Sequence, residues 1–85
     1  MRRSDLDKLL FQREVLLRKI QAYERVRRVI NDLASEFIND VYALEALNSI
    51  DRTIYMQMLM MQMGLRRLNE KIERVRGGGG YKEDI

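Results

Sequence analysis

The chain has 85 residues, 46% hydrophobic and 34% charged, with a formal net charge of +3 and no Cys, His, Pro or Trp. That composition excludes disulfides, a thiol nucleophile, an imidazole base and an ordinary zinc-ligand set, and the length permits one small domain. The densest apolar stretch, residues 54–65, is interrupted by Gln57 and Gln62 and is too short to span a bilayer.

Charge falls in blocks. Residues 1–31 hold nine basic and four acidic groups, 32–51 hold five acidic and no basic ones, 52–76 hold six basic and two acidic, and 77–85 hold one basic and two acidic. A helical chain that folds back inside the acidic block gathers its two basic blocks at one pole. The mixed charge of Met1-Arg2-Arg3-Ser4-Asp5 does not read as a secretory leader, so a soluble, cytoplasmic chain is expected.

From Ser4 to Arg76 there is no Pro and one Gly, Gly64. An all-α chain is therefore expected, with Ser4 as candidate N-cap and Asp5 and Asp7 in the first turn, at the positive end of the helix dipole. Leu9, Leu16, Tyr23, Ile30, Phe37 and Leu44 step by seven. Leu6, Ile20, Val26, Leu33, Val41 and Leu47 fill an adjacent row, which Arg13 and Arg27 interrupt. This reads as a broad amphipathic stripe facing a bundle rather than a narrow two-residue seam.

After Asn48-Ser49 the pattern sharpens: Ile54, Met58, Met61, Leu65, Leu68, Ile72 and Val75 alternate gaps of four and three. Met56, Leu59, Met60 and Met63 lie off that seam, so this part of the helix is apolar nearly all round and should touch more than one neighbour. The Met-rich run is read as core of an oligomer, with an adaptable groove for a partner helix as the alternative. The helix is expected to stop at the four glycines 77–80, leaving 77–85 as a flexible tail.

The turn is placed at Asn48-Ser49, because Asn, Ser and Asp51 compete for backbone hydrogen bonds and Asp51 breaks the seven-residue series. Asn31-Asp32 and Asn39-Asp40 offer rival turn chemistry, and a three-helix arrangement broken at 31–35 and a continuous rod stay open. The expected domain is thus 1–76, with helices over 5–47 and 50–76. In that register residues 5–20 have no partner within the chain, although they carry eight large apolar side chains. Two helices alone also cannot close a core. The expectation is a long amphipathic hairpin assembling into a dimeric helical bundle or coiled coil. Its interface would use Leu9, Leu10, Leu16, Leu17, Ile20, Tyr23, Ile30, Phe37, Met58, Met61, Leu65, Leu68 and Ile72.

The chemistry-bearing residues are few. Twelve Arg outnumber four Lys, and Arg18, Arg25, Arg27, Arg28, Arg67 and Arg74 are candidate phosphate contacts; a turn within the acidic 32–51 stretch is expected to bring Arg25, Arg27 and Arg28 near Arg67, Arg74 and Arg76. Against this, Glu14–Arg18, Glu24–Arg28 and Glu70–Arg74 are spaced as i,i+4 ion pairs on a solvated surface. The glycine run lacks the strand, Lys and Ser/Thr of a phosphate-binding loop. No catalytic group, cofactor or metal site is expected. The functional expectation is a homo-oligomeric structural or interaction protein, with sequence-indifferent nucleic-acid binding as the alternative.

Overall fold

The computed structural model describes residues 3–78, and among them there is no strand. Two helices of nearly equal length form an antiparallel hairpin. Helix α1 spans Arg3–Glu36 (34 residues) and helix α2 spans Val41–Glu73 (33 residues), the latter running into a five-residue π-type turn, Arg74–Gly78. Helix α1 already includes Ser4, which therefore lies in the first turn with Asp5 instead of capping it. Of the expected tail, Gly77 and Gly78 belong to the terminal π-type turn; residues 79–85 lie outside the described residues.

The chain turns at 37–40, not at 48–49. Asp40 adopts an extended backbone (φ −111°, ψ 99°), and its carboxylate accepts a 3.0 Å hydrogen bond from the Ala43 amide at the start of α2. This satisfies one of the orphan donors of the helix N-terminus and places a negative charge there. The Asp40 amide donates to the Phe37 carbonyl at 2.9 Å, and the Phe37 amide donates to the Leu33 carbonyl at 3.0 Å. Asn48 and Ser49 are helical, and the Thr53 hydroxyl donates back to the Ser49 carbonyl at 3.1 Å. Of the turn signals in the acidic block, Asn39-Asp40 is the one that leaves two matched arms. It removes the unpartnered 5–20 segment: Arg13 reaches Asn69, and Leu16 lies beside Gly64.

The matched arms share a heptad seam. On α1 it runs Leu6, Leu9, Arg13, Leu16, Ile20, Tyr23, Arg27, Ile30; on α2 it runs Leu44, Leu47, Asp51, Ile54, Met58, Met61, Leu65, Leu68, Ile72, Val75. Every one of these residues is buried or half-buried. Val26 and Leu33, expected in the α1 row, flank it instead. Arg13, Arg27 and Asp51, which interrupt the sequence pattern, occupy seam positions.

The hairpin is a single layer. It measures 65 × 20 × 13 Å and its radius of gyration is 19.1 Å, against about 12 Å for a compact chain of this length. Among the described residues only Leu9, Ile20, Ile30, Met58 and Ile72 are buried, and Ile72 alone is nearly inaccessible at 1%.

A cross-hairpin clasp and an uncovered apolar face

Two polar contacts interrupt the seam. Near the turn, Arg27 and Asp51 form a bidentate ion pair across 24 residues of sequence. Arg27 Nε donates to Asp51 Oδ1 at 2.8 Å, and a terminal guanidinium nitrogen donates to Oδ2 at 3.1 Å. The Arg27 guanidinium carbon also lies 4.8 Å from the Tyr55 ring centroid, one turn further along α2, in cation–π range. The two ionic side chains are 32% and 22% exposed. The hydrogen bond from Arg27, reinforced by its charge, holds the Asp51 carboxyl below the usual aspartate value against the opposing effect of partial burial. Arg27 is correspondingly raised, first by its hydrogen bond to Asp51. Near the open end, Arg13 donates a long, 3.4 Å hydrogen bond to Asn69 Oδ1. The bidentate fork demands a defined geometry from both partners, so it fixes one arm against the other.

The candidate phosphate contacts do not converge. Arg27 is committed to Asp51, and Arg18 pairs with Glu14 at 3.1 Å on the exposed surface. Among the described residues, Glu24–Arg28 and Glu70–Arg74 do not close to ion-pair distance. Arg25 and Arg28 stay exposed at the level of Asp51, whereas Arg67 and Arg74 lie 16 and 23 residues further along α2, roughly 24 and 35 Å away at 1.5 Å per residue. The chain does turn within the acidic 32–51 stretch, at 37–40, yet the proximity expected from such a turn is not found.

The residues expected at an oligomer interface have mostly found partners in their own chain. Leu9, Ile20, Ile30, Met58 and Ile72 are buried in the seam, and Leu16, Tyr23, Met61, Leu65 and Leu68 are half-buried there. Leu10 and Leu17 flank it half-buried, and Phe37 is exposed in the turn. Within the Met-rich run only Met58 is buried; Met56, Met60 and Met63 point to solvent. Phe11, Val26, Val29, Ile50 and Met60 are also exposed, Phe11 at 69% and Met60 at 63%. These outward apolar residues were the less visible part of the sequence signal. Val26 and Ile50 adjoin the seam and Val29 and Met60 lie next to them on the same side, forming a second stripe, whereas Phe11, Met56 and Met63 lie on the outer backs of the helices.

The second stripe has a definite side. A groove between the helices brings Val15 and Lys19 of α1 together with Gly64, Arg67 and Lys71 of α2. Residues on this side of both seams therefore share one face. On it α1 presents Val15, Ala22, Val26, Val29 and Leu33 beside Lys8, Gln12 and Lys19, while α2 presents Ala43, Ala46, Ile50, Met60 and Gly64 beside Thr53, Gln57, Arg67 and Lys71. Across the seam, the opposite flank carries Glu24 and Asn31 on α1 and Asn48, Gln62 and Asn69 on α2. Its apolar members are Leu10, Leu17 and Leu59, all half-buried, with Tyr55 already under Arg27.

Among the described residues no helix is long and apolar enough to cross a membrane, and no group of acidic side chains is placed to hold a metal ion. Comparison with protein-family profiles, curated proteins and solved structures finds no match to this chain.

Proposed function

We propose that this chain is a homo-oligomeric structural or interaction module, a helical hairpin that completes its core by associating with copies of itself. The carrying observation is the single layer: two helices side by side leave Phe11, Val29, Ile50 and Met60 in solvent. Burying one such side chain is worth ~1.5–3 kcal/mol, and stable domains are built from at least two packed layers. Light scattering at micromolar concentration is expected to give a multiple of the 10.2 kDa chain mass. A fully helical 10 kDa monomer would overturn the reading.

Sequence-indifferent binding to phosphate backbones is the lesser reading. It is supported by the exposed Arg66 and Arg67 in the C-terminal third of α2 and Arg74 in the π-type turn that follows it. Such binding must weaken steeply with salt, because neutralised phosphates release counterions. A gel shift at about 50 mM salt that shows no complex with duplex DNA or RNA at ~100 μM protein retires it, since nonspecific dissociation constants are typically ~10⁻⁴–10⁻⁶ M even at physiological salt.

A further inference from the structure

Resting on the oligomeric reading, we infer that a second copy of this chain covers the face carrying Val15, Val26, Val29, Ile50, Met60 and Gly64. The two hairpins lie antiparallel, each acidic turn end beside the partner's basic open end. Three observations carry this.

The first is chemical asymmetry between the flanks. Over residues 22–33 of α1 and 43–50 of α2 the groove side presents Ala22, Val26, Val29, Leu33, Ala43, Ala46 and Ile50, whereas the other flank presents Glu24, Arg28, Asn31, Glu45 and Asn48; toward the open end the groove side turns basic. Over that stretch the groove side is the one suited to exclusion from water.

The second is extent. A face as long as the paired helices, about 50 Å, on a hairpin 20 Å wide, offers on the order of 1,000 Å² per copy, above the ~800 Å² per partner of a standard stable interface. A two-fold axis makes one such patch its own complement, so a second copy satisfies the face without any other partner.

The third is charge, which sets direction. With the turn at 37–40, Asp32, Glu36, Asp40 and Glu45 gather at the turn end of the hairpin, while Asp51 further along α2 is already paired with Arg27. Lys19, Arg67 and Lys71 rim the groove toward the open end. Parallel hairpins would stack acid on acid and base on base. A two-fold axis perpendicular to the helices instead sets Glu36 and Asp40 toward the partner's basic rim, lowering repulsion at both ends. In that arrangement α1 packs antiparallel on the partner's α1, and α2 on the partner's α2, giving a four-helix core with every neighbouring pair antiparallel.

The test uses the full chain, which has no native cysteine to interfere. Asn39→Cys places one nitroxide label in the exposed turn of each copy, and pulsed electron paramagnetic resonance reads the turn-to-turn distance. Antiparallel hairpins give about 50 Å, one helix length; parallel hairpins give under about 25 Å, two helix diameters. A companion pair locates the face. Val29→Glu should shift the dimer to monomer, because a partner would bury that charge, whereas Gln62→Glu on the other flank should leave the dimer intact. Val29 is 56% exposed within the hairpin, so the hairpin's own seam does not depend on it.

A dimer with a short turn-to-turn distance, or one indifferent to Val29→Glu, overturns this inference and leaves the oligomeric reading standing. A wild-type chain that stays monomeric and helical overturns both. If Val29→Glu fails to fold, the label distance in the otherwise unaltered chain still decides the orientation.

Discussion

Arg27 and Asp51 each spoil an apolar pattern when their helices are considered alone, and together they account for each other. Each is an ionic side chain at a seam position, and the hairpin sets one against the other with two hydrogen bonds at 2.8 and 3.1 Å. Removing one partner leaves a half-buried charge without its counter-ion, whereas replacing both with apolar residues restores a continuous seam. Asp51→Leu alone should therefore lower Tm, and Arg27→Leu combined with Asp51→Leu should return it to the wild-type value or above; a double variant as unstable as the single one contradicts the pairing. The pH dependence has a fixed sign. The folded-state pKa of Asp51 is lowered by its hydrogen bond from Arg27, so the stabilisation is fully present above the unfolded value of about 3.9 and is lost as pH falls through the folded value. In thermal melts, the Tm gap between wild type and Asp51→Asn should narrow progressively below about pH 4. A gap that widens in acid would contradict the assignment.

At the scale of the helices, the α2 seam from Ile54 to Val75 is legible in the sequence, because seven apolar residues hold the heptad without interruption. The α1 seam is half legible. Leu9, Leu16, Tyr23 and Ile30 stand out, while Arg13 and Arg27 disguise the companion row and send the reading to Val26 and Leu33 on the flank. The turn is misread for a related reason. Asn48, Ser49 and Asp51 have the local chemistry of a turn, yet Ser49 stays helical and Asp51 has a partner 24 residues away. Local propensity cannot weigh that partner, nor the gain from arms of equal length. The structural turn instead depends on Asp40, whose carboxylate caps α2 through the Ala43 amide. Asp40→Ala should cost about 1 kcal/mol, a Tm decrease of roughly 4–8 °C for a domain of this size. A melting curve unchanged by that substitution would mean the cap contributes nothing.

Over its described residues the molecule is one layer thick, and its energetics follow from that. A radius of gyration of 19.1 Å and a core of five buried side chains leave the hairpin little apolar burial with which to offset the ~1–2 kcal/mol of backbone entropy lost per ordered residue. The sequence points to oligomerisation through an unpartnered 5–20 segment, and the structure removes that reason. Residues 5–20 do have an intramolecular partner, and what needs cover is the second stripe through Val26, Val29, Ile50 and Met60. A fold that is completed by association has a stability tied to chain concentration by mass action. The decisive measurement is a series of circular-dichroism melts across a hundred-fold range of protein concentration. Self-association as the completing interaction requires Tm to rise steadily with concentration and helicity to fall off at the most dilute end. Full helicity with a Tm independent of concentration would show that the two-helix layer is stable alone, and would contradict it.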